Sequence, residues 1–253
     1  GFSQKVGQAG VLGFSVMSMD FGDIEITTVD LPDGGLGTFS PKFMNLSLSY
    51  AKIFSNSIYG GVTVKMINEQ ISNVGANGVA LDAGIQYVTG SKDNLKFGIS
   101  LKNVGPRMSF TGDGLSFRGI VGDDDDYKMT VEQRSSELEL PALLNIGMSY
   151  DVNVHQNRIT GAGTFTSNSF QKDQYRLGGE YAYREMIMIR IGYTYEEGIT
   201  TPSTRTTALR GPSAGFTLEL PMGDSGSTFG LDYSYRHTDP FQGSHTIGAR
   251  VNL

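Results

Sequence analysis

Histidine, cysteine and serine side chains carry most enzymatic and metal chemistry, and this sequence offers little of it. The three histidines are His155, His237 and His245, and no two of them have the H-x-x-x-H spacing of a zinc site. The absence of cysteine excludes thiolate metal sites, disulfides and a cysteine nucleophile. We also expect no nucleophile elbow of the G-x-S-x-G type. The sequence therefore predicts no enzyme, no catalytic residue, no metal site and no cofactor, apart from bound lipid or detergent.

A run of four carboxylates, Asp123–Asp126, is the strongest candidate for binding a cation. Calcium takes several oxygen ligands, but the run lacks the alternating spacing of a dedicated calcium loop. We therefore favour a solvated external loop. The net charge of −6 makes nucleic acid an unsuitable partner, because DNA and RNA are themselves polyanions.

Ionisable residues recur at every second position in segments whose other positions are apolar. Between 187 and 191, for example, Ile187, Ile189 and Ile191 alternate with Met188 and Arg190. An Arg or Lys facing lipid near the membrane midplane would cost roughly 2–4 kcal/mol, so these side chains should face inward. There they would form a lumen network in which opposite charges pair and stiffen the wall. The predicted network is Lys65, Asp82, Arg176, Glu180, Arg190, Glu219, Asp232, Arg236 and Arg250, and Lys96 and Lys102 occupy equivalent positions. The open alternative is a polar path for a solute.

Period two is the signature of β-strands, because successive side chains point to opposite faces of a sheet. We count about twelve such strands of roughly ten residues, the length that a tilted strand needs to cross the hydrocarbon layer. No stretch approaches the ~18 consecutive apolar residues of a membrane helix. The predicted fold is all-β: a single transmembrane antiparallel β-barrel domain, residues 1–253, of about 12–14 strands.

The connections between these strands alternate in length. If the C-terminus is periplasmic, short turns fall on the periplasmic side, and long loops near 20–42, 105–140 and 197–210 fall outside. The alternative is a water-soluble lipocalin-like barrel or sandwich, with its apolar residues within. Strand length, alternating loop lengths and tyrosines near the strand ends favour the membrane.

Five motifs between residues 21 and 113 resemble the PorV/PorQ family of outer-membrane proteins, which are similar to the long-chain fatty-acid transporter barrels. They are the Asp-Gly loop at Asp33–Gly35, the strands at Leu48–Ala51 and Gly61–Lys65, the strand Ala76–Asp82 with a central aspartate, and the exit Asn103–Pro106. The family carries a further N-terminal stretch with two more strands that this sequence does not show. Either the family's barrel of about fourteen strands is incomplete in this sequence, or the barrel closes with twelve strands. An even number of strands is expected in both cases.

The resemblance implies a bacterial outer-membrane protein associated with type IX secretion. Such a protein would act as a docking, shuttle or scaffold component in protein export, with a large translocon subunit or an exported cargo as its partner and lipid around it. The alternative is passive transport of small hydrophobic molecules. Apolar residues in the long loops predict where a partner would bind. They are Ile24, Ile26, Leu31, Leu36, Phe39, Met108, Phe110, Leu115 and Phe117.

Overall fold

The computed structural model describes residues 1–7, 10–120, 128–223 and 226–253. The acidic run Asp123–Asp126 lies outside these described residues. Apart from one 3-10 turn at Asp113–Leu115, the regular structure within them is entirely β. None of the helical structure in this part of the chain is long and apolar enough to cross a membrane.

The described residues form seventeen strands. They are β1 (Phe2–Val6), β2 (Gly10–Asp20), β3 (Ile24–Glu25), β4 (Thr38–Phe39), β5 (Lys42–Ser55), β6 (Ile58–Ile71), β7 (Val74–Thr89), β8 (Leu95–Val104), β9 (Ser116–Ile120), β10 (Lys128–Glu132), β11 (Leu143–Val154), β12 (Asn157–Asn168), β13 (Gln174–Tyr183), β14 (Ile187–Glu196), β15 (Leu209–Met222), β16 (Ser227–Thr238) and β17 (Ser244–Asn252).

Thirteen of these strands form one large antiparallel sheet in the order β1-β2-β5-β6-β7-β8-β11-β12-β13-β14-β15-β16-β17. The remaining four form two hairpins, β3–β4 and β9–β10, inside the long connections. Within the described residues the series is open, with β1 and β17 at its two ends. The all-β antiparallel prediction is confirmed, whereas the strand count is odd and the sheet is not joined into a ring.

The chain divides into two compact units. The first contains Gly1–Lys52, Gly60–Ala83 and Lys102–Ala142. In it β2 pairs with β1 and, from Val11↔Ala51 to Asp20↔Lys42, with β5. Strands β6 and β7 are joined by a turn at residues 72–73, so both strands continue through the polar positions at their ends.

The second unit contains Ile53–Tyr59, Gly84–Leu101 and Leu143–Leu253. Strands β11 to β17 form a regular meander in which each strand pairs with the next. Connections at 155–156, 184–186 and 223–226 alternate with longer ones at 169–173, 197–208 and 239–243. Successive connections of a meander lie at opposite ends of the strands. The short turns therefore share one end and the long connections share the other.

Candidate functional site

Many large apolar side chains of the second unit are exposed on one side of the sheet. Leu177 in β13 is 71% exposed, Ile191 in β14 is 67% exposed and Ile247 in β17 is 82% exposed. We call the side of the meander that carries them the apolar face. Its members in β13 and β14 are Tyr175, Leu177, Tyr181, Tyr183, Ile187, Ile189, Ile191, Tyr193 and Tyr195.

The opposite side, which we call the polar face, carries the buried residues of this unit. Thr166, Glu196 and Thr217 are at most 1% exposed, and Gln174 and Asp151 are also buried. In a water-soluble protein, acids and amides are mostly exposed and large aliphatic side chains are mostly buried. The distribution in this unit is the reverse of that pattern.

A row of bonded polar side chains crosses the polar face, beginning at β8. The Lys96 ammonium lies 2.8 Å from the Asp151 carboxylate, and the Thr160 hydroxyl donates to the other oxygen of that carboxylate at 2.6 Å. Asp151 and Thr160 are directly opposite each other in the β11–β12 register. The Arg158 guanidinium donates to the same threonine at 2.6 Å and lies 2.8 Å from the Glu180 carboxylate in β13. Four strands are therefore linked on this face.

The row continues from Glu180 across the next three strands. Arg190 in β14 is opposite Glu180 in the register and forms an ion pair with it. Arg190 also donates to the Thr217 hydroxyl in β15 at 2.6 Å, and Thr217 in turn donates to Asp232 in β16. Opposite charges directly across a ladder stabilise the pairing of strands. Satisfying each charge also removes the large penalty of burying it alone.

Arg158, in the middle of the row, also binds a residue of a tight turn. Arg184 and Glu185 both have positive φ, 51° and 54°, as the type I′ turn of a hairpin requires. Glu185 is not a residue that favours this conformation. Its carboxylate accepts two hydrogen bonds from Arg158, at 2.8 and 3.0 Å, and this pairing lowers the pKa of Glu185. The ion pair thus helps to hold the turn against its backbone preference.

The remaining predicted lumen residues of this unit fall into two groups. Glu219 forms an ion pair with Arg250 and accepts a hydrogen bond from the Asn252 amide at 3.1 Å. Arg176 donates to the amide oxygen of Gln174 at 2.7 Å, and Arg236 has no carboxylate partner among the described residues. Among the described residues, the structure thus pairs Lys65 with Asp82, Glu180 with Arg190, and Glu219 with Arg250, and leaves Arg176, Asp232 and Arg236 without a direct ion pair.

The first unit holds a smaller polar cluster. The Lys65 ammonium lies 2.7 Å from the Asp82 carboxylate and donates to the Asn103 side-chain oxygen at 2.6 Å. The Asn103 backbone N–H donates to Asp82 at 2.8 Å, and its amide donates to the carbonyl of Pro141 at 2.9 Å. The Lys65 and Asp82 side chains are only 13% and 19% exposed. Every member of the cluster is therefore satisfied within the protein.

Backbone geometry accounts for two residues of the Asn-Val-Gly-Pro segment at 103–106, Asn103 and Gly105. Asn103 adopts a φ of 60°, which asparagine tolerates better than most residues. A Cβ on Gly105 would overlap the Val79 carbonyl oxygen and lie 3.2 Å from a methyl of Leu140. Asn103 suits the left-handed backbone conformation, and Gly105 allows the close approach of the Val79 backbone. The role of both residues is therefore structural.

The predicted partner-binding residues of the long loops divide by exposure. Five are exposed: Ile24, Ile26, Leu31, Leu36 and Phe117. Phe39, Phe110 and Leu115 are half-buried, and Phe39 is opposite Ile24 in the β3–β4 hairpin.

Met108 differs from the prediction, because it is buried at 5% exposure. Its backbone pairs with Leu138, and its sulfur lies where it would be 3.0 Å from a Cβ added at Gly78. The segment around Met108 is therefore packed within the first unit, and the Met108 side chain is not accessible to a partner.

The third long loop, 197–208, is tied down in the second unit. Ile199 is 1% exposed, and the Lys172 ammonium donates to the carbonyls of Glu197 and Thr204 at 2.9 and 3.1 Å. Arg210 and Arg205 both bond the Asp239 carboxylate. The hydrogen bond from Arg210, and to a smaller extent that from Arg205, holds the pKa of Asp239 below its usual value.

The sequence does contain one G-x-S-x-G match, contrary to our expectation, at Gly211–Gly215. Its serine, Ser213, lies within β15 and is opposite Arg236 in the β15–β16 register. A nucleophile elbow needs a sharp turn from a strand into a helix, and this segment continues as a strand. Among the described residues, no three His, Asp or Glu side chains lie close enough together to hold a metal ion.

A scan against models of protein families found no match to this chain, and a search of curated proteins found none either.

Proposed function

We propose that the chain is a bacterial outer-membrane β-barrel that acts as a docking, shuttle or scaffold component in protein export. The proposed membrane location is supported by the burial pattern of the second unit, in which large apolar side chains are exposed and polar side chains are buried. Each large apolar side chain left in water forgoes about 1.5–3 kcal/mol of burial free energy. A bilayer supplies an apolar environment on the face where these side chains lie, while the charged residues pair on the other face.

Closure of the sheet follows from the same environment. In lipid, an open sheet edge would leave backbone N–H and C=O groups without partners, so spanning sheets are closed. The proposed barrel would therefore be closed, with the even number of strands that is usual for bacterial single-chain barrels.

Docking is supported by the exposed apolar residues in the long connections of the first unit. Leu31, Leu36 and Phe117 are 47%, 53% and 53% exposed, and they lie outside the strands of the large sheet or in the small β9–β10 hairpin. Large apolar side chains exposed in connections outside the lipid are candidates for a protein-binding surface. The resemblance to the PorV/PorQ family suggests that the partner is a translocon subunit or an exported cargo.

Passive transport of hydrophobic molecules is less well supported. A hydrophobic ligand would need a continuous apolar cavity, and the two cavities of the second unit have charged arginines among their lining residues. A third cavity, of about 470 Å³, lies in the first unit and is lined by Met44, Met66 and Val79 among others, but these three side chains are themselves exposed on the surface of the sheet.

Photo-crosslinking in native membranes tests the docking proposal. A photoreactive amino acid replaces Leu36 or, as the control, Phe241, which is 67% exposed in the connection between β16 and β17. We expect Leu36 to crosslink to a secreted protein or a large outer-membrane subunit and Phe241 to give no such product. Equal crosslinking at both positions, or lipid alone at Leu36, would contradict docking at these loops.

A further inference from the structure

Two neighbouring cavities indent the polar face of the second unit between β13 and β17. The first has a volume of about 310 Å³ and the second about 220 Å³. Gly192, Ser213 and Arg236 line both cavities. The small residues explain the cavities, because glycine and serine leave space where neighbouring strands place long side chains. The shared lining means that Arg236 faces both spaces.

The charges around the two cavities differ. Arg190, Asp232 and Arg236 line the first. Arg190 and Asp232 are both bonded to Thr217, so these two charges offset each other within the row and Arg236 is left over. The second is lined by Arg176 and Arg236, and no aspartate or glutamate is among its described lining residues. The second cavity is therefore the more cationic of the two.

Neither arginine of the second cavity is neutralised directly. Arg176 donates to the neutral amide of Gln174, whose own amide hydrogen is donated to Glu196 at 2.9 Å. Glu196 also accepts from the Thr206 hydroxyl at 2.6 Å, so its oxygens are engaged at a distance from the guanidinium. Arg236 donates to no protein group among the described residues, and both arginines are exposed to the cavity side.

The register places the two arginines two residues apart along the strands, because Ser213 is opposite Gly192, and Gly192 is opposite Gly178 in β13. Arg176 is opposite Thr194 in the β13–β14 pair, and Arg236 is opposite Ser213 in the β15–β16 pair. Thr194 and Ser213 line the same cavity on the two strands between. Three strand spacings and an offset of two residues separate the arginine backbones by roughly 16 Å. Two long side chains that line one cavity across this span can approach a small group between them.

We propose that this second cavity binds an oxyanion, a phosphate or carboxylate group held by Arg176 and Arg236. The planar guanidinium matches phosphate and carboxylate oxygens with two parallel hydrogen bonds, and charge-assisted bonds of this kind are the strong ones. The Ser213 hydroxyl and the Thr194 hydroxyl offer further donors beside the arginines. The site is independent of the proposed docking role, since it lies in the second unit and uses none of the loop residues of the first.

The group could belong to a free anion or to a lipid headgroup, and titration calorimetry with the purified full chain in a zwitterionic detergent distinguishes them. One arm uses inorganic phosphate and the other uses dihexanoyl phosphatidic acid. Saturable binding of both with similar affinity indicates a free anion, whereas binding of the lipid about tenfold tighter or more indicates a headgroup.

Variants then assign the site. Arg236→Gln and Arg176→Gln should each weaken binding roughly tenfold or more, because each removes bonds to a charged group. Arg250→Gln is the matched control, since Arg250 has the same charge on the same face but is paired with Glu219. Unchanged circular dichroism and electrophoretic mobility show that each variant is folded. Absence of saturable binding in both arms, or an equal loss in Arg250→Gln, would overturn the proposal.

Discussion

Replacing one residue of the apolar face by arginine separates a membrane-facing sheet from a water-facing one. Ile191 lies in the middle of β14, Ile187–Glu196, and its register partner Gly179 lies in the middle of β13. Its side chain is 67% exposed. If this face meets lipid, Ile191→Arg places a guanidinium near the midplane at a cost of roughly 2–4 kcal/mol. Since 1.4 kcal/mol is a factor of ten, the folding equilibrium should fall roughly 30- to 700-fold.

Refolding from urea into phospholipid vesicles measures this change, with the folded fraction read from the heat-dependent mobility shift in gel electrophoresis. The control is Phe241→Arg, because Phe241 is also 67% exposed but lies in a connection outside the strands. We expect the control to change the unfolding free energy by less than about 0.5 kcal/mol, as is usual for exposed positions. An Ile191→Arg variant as stable as Phe241→Arg, or more soluble without detergent, would refute the membrane-facing assignment.

Three further outcomes follow from the contacts. Gly105→Ala should destabilise the fold by about 1–3 kcal/mol in urea unfolding, because its methyl overlaps the backbone of β7, whereas Gly161→Ala, with open space around it, should not. Asp82→Ala should cost about 3–5 kcal/mol by leaving Lys65 buried without a counter-ion, and Lys65→Met in the same chain should recover part of that loss; no recovery would argue against the ion pair. The lowered pKa of Asp239 means that its stabilising contribution is complete above its ordinary value of 3.8 and is lost only as the pH falls through the lower folded value. Carbon-13 NMR of this carboxyl should therefore show a midpoint below 3.8, and a midpoint at or above it would contradict the pairing with its two arginines.

The sequence predicted the strands well because alternation is a local property. A residue such as Ile189 identifies its face from its immediate neighbours alone. Asp151 continues the polar positions of β11 by one step, and Arg158 is the second residue of β12, and neither is in the predicted network. Extending each alternating segment to its turn would have found both.

Other features depend on contacts between distant parts of the chain and could not be read locally. Met108 is apolar and lies in a long connection, which suggested exposure, but pairing with Leu138 buries it. The structural role of Asn103 depends on Lys65 and Pro141, each 38 residues away along the sequence. The G-x-S-x-G match at Gly211–Gly215 illustrates the converse, because a short pattern has catalytic meaning only in the right local structure.

A single-cysteine scan of β14 tests the central claim most directly, because the chain contains no native cysteine. Spin labels at Ile189, Ile191 and Tyr193 report on the apolar face, and labels at Met188 and Thr194 report on the polar face. In vesicles, the account predicts that the first three labels are accessible to lipid-soluble oxygen and protected from a water-soluble nickel complex, with the other two labels showing less oxygen contact. Equal access of the nickel complex to all five labels, without a period of two, would contradict a lipid-facing sheet.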